Sequence, residues 1–245
     1  MRCGLYGKLP SKRDFISIAT PRHFLYVWEP WIANCLAQSR TTLGQPNWER
    51  VFSEAPIWRF FLGAELCGSS LFGALMPSVD AIGRYFPLTL VAQTELDSAV
   101  STPDSDPCQT WFDAAEEFLL SLLDADLPWE AVDIGLKNLG LKNLGALNGE
   151  SVPQNASANA AAEAKLEFTG LDEAGTGARP LGEIFATVRQ HNDAPVAALN
   201  CWWTLGSENY RPRAFVQKSM PDPLQFAAML TEQFVWRPPE TSQSG

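Results

Sequence analysis

Histidine is nearly absent from this 245-residue chain, His23 and His191 being the two copies. The five cysteines, Cys3, Cys35, Cys67, Cys108 and Cys201, are odd in number, widely spaced and set among apolar residues, with no CxxC pair. These shortages argue against a zinc site and for a reducing compartment, and no cofactor is expected. Basic residues are also few, 18 against 28 acidic, for a net charge of −10. A surface of that sign repels a phosphate backbone and an anionic bilayer, so neither nucleic acid nor membrane insertion is expected. No apolar run reaches the ~18 residues of a transmembrane helix, and the start lacks the basic, apolar and small-residue regions of a secretory leader. The expectation is a soluble, cytoplasmic protein.

What the chain has in quantity is apolar surface. With 46% hydrophobic and 11% aromatic residues it can bury a sizeable core, and its length suits one large domain or two small ones. The stretch from Pro56 to Val91 organises the rest. Three apolar runs, Ile57 to Leu62, Leu71 to Met76 and Phe86 to Val91, have strand length and are separated by Gly/Ser and Pro/Ser/Asp punctuation. They are expected to pair antiparallel. Both alternating faces of each run are apolar, so the sheet is covered on both sides.

Around this block the chain alternates. Arg2 to Tyr6 reads as a short strand and Gly7 to Phe15 as a turn-rich loop. Thr20 and Pro21 read as N-cap and first position of a helix carrying Phe24, Trp28, Trp31 and Cys35 at helical spacing, with Pro30 as a kink or restart. A short helix is expected near Trp48 to Ser53. Asp106, Pro107 and Gln109 supply cap, first-turn proline and third-position amide for a helix bearing Trp111, Ala115, Phe118 and Leu122, and the signal recurs at Asp222, Pro223 and Gln225. The pentad Leu-Lys-Asn-Leu-Gly stands twice in tandem at Leu136 to Gly145, before a tract rich in Ala, Asn, Ser and Gly. Two copies make no solenoid, and the region reads as a long surface excursion with a helical piece. Leu181, Ile184, Phe185 and Val188 mark another amphipathic helix, Val196 to Thr204 a buried strand and Arg213 to Lys218 its antiparallel neighbour. Trp202 and Trp203 are strand neighbours and point to opposite faces, so they cannot share a ligand cage.

Four chemical readings compete. Gly7-Lys8-Leu9-Pro10-Ser11-Lys12 has the composition of a phosphate loop, but no second Gly precedes Lys-Ser and Pro10 removes a backbone donor. Lys8, Lys12, Arg13 and Arg22, opposed by Asp14, make a basic cluster on an acidic protein, and the loop residues Lys8, Ser11, Lys12, Arg13 and Asp14 are either a solvated turn or a dock for an acidic or phosphorylated partner. Ser78, Asp80 and Arg84 place a hydroxyl beside a carboxylate, with no base assigned and no Gly-flanked nucleophile elbow. Asp80 and Arg84, four apart, would pair on a helical turn, and Arg59 could join them from the adjacent strand. A structural ion-pair cluster of Arg59, Ser78, Asp80 and Arg84 is the favoured reading, since buried charges are normally paired.

The segments "GLYGKLPSKRDF", "PIWRFFL", "GALMPSVDAIGRYFPLTL" and "CWWTLGS" together resemble the TagF (ImpM) family associated with bacterial type VI secretion. The likeness is close from Gly4 to about Leu90 and thinner beyond. The loop departs from the family pattern at Arg13, where Gly is more usual, which bears on the local turn. The resemblance implies a longin- or profilin-like fold and a cytoplasmic repressor acting after translation. Its implied partner is the forkhead-associated-domain protein of the secretion apparatus, beside a Ser/Thr kinase and phosphatase pair. No catalytic residue comes with the family. The expected architecture is α+β in three layers, a largely antiparallel central sheet with helices on both faces. It forms one domain over 1–240, with an excursion at about 136–178 and a tail at 241–245. The expected function is regulatory binding without catalysis. The alternative is a hydrolytic enzyme or small-ligand sensor using Ser78, Asp80, Arg84 and Arg59.

Overall fold

Strand β3 (Trp58–Leu62) is buried at every position. Trp58, Phe60 and Leu62 join one hydrophobic cluster and Phe61 joins another on the opposite face. A strand apolar on both faces must lie between two layers, and the rest of the chain supplies them. The computed structural model describes residues 2–93, 106–147, 165–169, 177–191 and 198–232. Around β3 stand β1 (Arg2–Gly7), β2 (Ile16–Ile18), β4 (Leu71–Met76), β5 (Leu88–Gln93), β6 (Lys165–Thr169), β7 (Gly177–Pro180), β8 (Asn200–Thr204) and β9 (Arg213–Gln217). They form one sheet in the order β2-β1-β5-β4-β3-β8-β9-β6-β7. Neighbours run antiparallel except β6 and β9, which are parallel.

Helices α1 (Arg22–Leu43), α2 (Gln45–Glu54), α3 (Ala64–Cys67) and α7 (Pro223–Met229) cover one face, packing Phe24, Trp28, Trp48, Phe52 and Phe226 on Trp58, Phe60 and Trp202. Helices α4 (Asp106–Ser121), α5 (Trp129–Leu147) and α6 (Leu181–His191) cover the other, where Phe112 meets Trp203 edge-on at 4.7 Å. Trp202 and Trp203 therefore serve opposite layers. The protein is α+β with a largely antiparallel sheet between helical layers. No helix among the described residues is long and apolar enough to cross a membrane.

Several boundaries differ from the sequence reading, each for a local reason. The third central strand begins at Leu88 and not Phe86, because the Phe86 N–H donates to the Ser78 carbonyl at 3.0 Å and Pro87 has no N–H for a ladder. Thr20 does not cap α1. Its hydroxyl lies 3.2 Å from the carbonyls of both Leu5 and Ile18, and the helix starts at Arg22 behind an extended Pro21. Pro30 neither breaks nor restarts α1, which runs unbroken for 22 residues with Pro30 on its exposed side. At α7 the capping box is complete, Asp222 Oδ1 accepting from Gln225 N–H at 2.7 Å and Gln225 Oε1 from Asp222 N–H at 2.8 Å. The tandem pentads lie within α5, the helical piece expected of that region, where Leu136 and Leu139 pack into the core. β6 and β7 then extend the sheet edge, while 148–164, 170–176 and the tail at 241–245 lie outside the described residues.

Candidate functional site

Two loops leave the same end of the sheet, because β1 and β5 are antiparallel neighbours: one follows β1, the other precedes β5. Gly7 closes β1 at φ 134°, where a side chain would run into the Pro87 carbonyl, so glycine is required for the loops to approach. Beyond it the Ser78 hydroxyl donates to the Lys8 carbonyl at 2.7 Å. Lys8 itself turns inward and places Nζ 2.6 Å from Asp80 Oδ2. Side-chain exposure across that pair is 5% for Lys8 and 0% for Asp80.

Asp80 is the hinge pin of the arrangement. Oδ2 also accepts from Arg84 Nε at 2.7 Å, while Oδ1 accepts the backbone N–H groups of Ile82 at 3.1 Å and Arg84 at 2.9 Å. Gly83, at φ 82°, lets the chain reverse so that these donors converge. Burial alone would push the Asp80 carboxyl up. Hydrogen bonds from Lys8, then from the Arg84 backbone and side chain and the Ile82 N–H, outweigh it and hold the group well below the usual carboxylate range. The loops are stitched once more by Ala81 N–H to the Lys12 carbonyl at 3.2 Å and by the Arg84 guanidinium to the Arg13 carbonyl. On the far side, Tyr85 packs edge-on against Trp48 and Phe52, and Arg40 stacks on Trp48 while donating to the Tyr85 carbonyl at 3.4 Å.

The sequence-predicted residues thus separate into three groups. Asp80, Arg84 and Ser78 come together, but on a hairpin turn instead of a helical one, and their third charged partner is Lys8. Arg59 requires correction: it lies opposite Ala74 and Trp203 in the sheet and projects into the α4 layer. There Nε meets Glu116 at 2.6 Å, Nη2 meets Asp113 at 2.8 Å and Nη1 meets the Gln109 side-chain oxygen at 3.3 Å. Burial alone would lower the Arg59 pKa, and the two carboxylates reverse this and raise it. Of the basic loop, Lys8 is buried and spent on Asp80, Ser11 is half-buried, and Lys12, Arg13 and Asp14 are exposed.

Sequence reasoning missed the apolar part of this surface. Phe15, 51% exposed, stands edge-on to Phe86 at 4.5 Å, and Ile82 at the tip of the second loop is 55% exposed. Lys12 Nζ sits 4.9 Å from the ring of Trp129, which joins the start of α5 to the loops. The available signal was large apolar residues at Phe15 and Ile82 inside turn-forming sequence. His23 is engaged elsewhere, its Nε2 3.1 Å from Ser69 Oγ, and the side chain of His191 lies outside the described residues. Among the described residues no group of three or more His, Cys, Asp or Glu is placed to hold a metal ion. A shallow apolar dent beside Phe52, Trp58, Leu75, Pro77 and Phe226 has room for about 10 Å³, the scale of one water molecule.

The comparisons agree with this architecture. No curated protein matches the chain. Among solved structures, the crystal structure of PA0076 from Pseudomonas aeruginosa PAO1 is similar at TM-score 0.64 and 25% identity, covering 96% of this chain and 97% of that one. A family model described as the TagF N-terminal domain, type VI secretion system-associated, matches residues 4–139, which takes in both loops, Arg59, α4 and the first half of α5. With more than half of its length so matched, the chain belongs to the TagF N-terminal domain family associated with type VI secretion.

Proposed function

We propose that the protein is a cytoplasmic regulator of type VI secretion that works by binding and has no chemical step of its own. It restrains the apparatus after translation by holding the forkhead-associated-domain scaffold component in a state that cannot recruit the rest, beside a Ser/Thr kinase and phosphatase circuit. Such restraint is limited by the difference in affinity for the two states of the scaffold. The observation that carries this reading is the saturation of Asp80. Four donors occupy its two oxygens, and the Ser78 hydroxyl is committed to a backbone carbonyl, so the cluster serves to fix two loops in one geometry. A rigid exposed platform is what a binding protein needs, because little ordering entropy is then lost on association.

The test is co-purification of the scaffold with wild type and with Lys12→Glu/Arg13→Glu, alongside a secretion assay. Retained fold with lost binding and released secretion is the expected result. A variant that binds normally and still fails to restrain secretion would point to a ligand or a reaction at Ser78 and Asp80 instead.

A further inference from the structure

We propose that the two loops form a docking surface for an acidic protein segment that also carries an apolar side chain. The inference rests on the binding reading above and names the surface and the chemistry of what it holds. Charge is the first argument. The whole chain carries −10, yet its two loops hold Lys8, Lys12, Arg13 and Arg84 against Asp14 and Asp80, a local balance of four positive to two negative. Lys8 is consumed by Asp80, which leaves Lys12, Arg13 and the half-exposed Arg84 facing solvent. A cationic island on an acidic protein steers a local acidic segment, while the surrounding field repels a bilayer or a nucleic acid.

Apolar exposure is the second argument. A single exposed hydrophobe needs no explanation, but Phe15, Ile82 and Trp129 border the same loops, the last through Lys12 on its ring. Aromatic groups beside arginine are the composition of interface centres and not of ordinary surface. The third argument separates carboxylate from phosphate. A phosphate site would present free backbone N–H groups, whereas those of Lys12, Ala81, Ile82, Gly83 and Arg84 are already bonded within the loops and Pro10 has none. At those positions the loops offer side-chain cations to solvent, which fits dispersed carboxylates along a strand or helix.

The experiment uses the full chain, ¹⁵N-labelled, titrated with a short peptide alternating glutamate and leucine and with its glutamine counterpart. Scaffold co-purification is run in parallel with Lys12→Glu/Arg13→Glu, Phe15→Ser/Ile82→Ser and, as a remote control, Arg50→Glu. Expected are shifts of the loop and Trp129 amides with the acidic peptide only, weakened by salt, and scaffold affinity down on the order of tenfold or more in both loop variants but unchanged in Arg50→Glu. If wild type binds the scaffold and both loop variants bind it equally, the surface is wrong while the regulatory reading stands. If the scaffold does not bind wild type but the peptide still shifts the loop amides, the regulatory reading falls and the surface survives. Binding lost on phosphatase treatment of the scaffold, capture by phosphatidylserine vesicles without a peptide response, or self-association abolished by the loop variants would each overturn the acidic segment as occupant.

Discussion

Replacing Arg59 by methionine should be among the most damaging single changes in this protein. The guanidinium is buried between the sheet and α4, with its three donor directions taken by Glu116, Asp113 and Gln109. Methionine keeps an unbranched stem but removes the charge, together with the guanidinium carbon 5.5 Å from the Phe112 ring centroid, which leaves two carboxylates in a pocket built around a cation. Removing one partner of a buried ion pair costs about 3–5 kcal/mol. Asp113 and Glu116 keep 16% and 22% side-chain exposure, so water can recover part of their solvation and the low end, about 3 kcal/mol, applies. For a chain of this size each kcal/mol shifts the melting temperature by about 2–4 °C, so calorimetry should find Arg59→Met about 6–12 °C below wild type. Because folding raises the Arg59 pKa, its contribution is complete at every pH below the unfolded guanidinium value, and neutral-pH melts compare like with like. Adding Asp113→Asn and Glu116→Gln removes the stranded charges and should restore most of the loss. A shift under about 2 °C for the single variant would refute the ion-pair account, on the same scaling. A triple variant as unstable as the single one would assign the loss to packing.

Because folding depresses the Asp80 pKa, the stability it contributes is present above the unfolded carboxylate pKa of about 3.9 and is lost as pH falls below it toward the folded value. The gap between wild type and Asp80→Asn in urea melts should therefore be constant from neutral pH to about pH 5 and close in stronger acid; a gap that stays open there would refute it. Burial pushes the Cys3 and Cys67 thiols up to about 11 and Cys35 up to about 12, and all five cysteines are buried, so a thiol reagent at pH 8 should label the denatured chain and spare the native one. Rapid native labelling would contradict the packing. Gly73 lies directly across from Phe60, whose ring fills the space a side chain would need, so Gly73→Ala should cost about 1–3 kcal/mol by overpacking, measurable by urea denaturation.

How much of this could be read in advance depended on whether a signal was local. β4 was legible to the residue and β3 to within one, because their two apolar faces admit only a sandwiched strand, and the α7 box is spelled within four consecutive residues. β2 is three residues long and carries no periodicity. The helical piece expected near the pentads had no bounds in the sequence, and Gly135, just before them, is needed because the ring of Phe118 occupies the place of its side chain. The Arg59 site was half-visible: strand parity sets Arg59 on the Phe61 face, and Gln109, Asp113 and Glu116 form a polar stripe at helical spacing within α4. Joining the two needed the layer assignment. Lys8 and Asp80 stand 72 residues apart, and nothing in either segment specifies the other.

The two buried cations differ in what they hold, and this decides what their loss should do. Arg59 ties a central strand to a helix layer, so its removal loosens the core. Lys8 and Asp80 tie loop to loop at the end of a sheet whose strands β1 and β5 remain paired from Arg2 to Tyr6 without them. Asp80→Asn should therefore leave the sheet intact while freeing the N–H groups of Ala81, Ile82 and Arg84, which now bond Lys12 and Asp80. Hydrogen exchange should speed at those amides and stay slow in β1, β4 and β5, with melting reduced less than in Arg59→Met. Equal acceleration throughout the sheet would mean that Asp80 supports the fold itself, and the view of the loops as a separately held platform would fail.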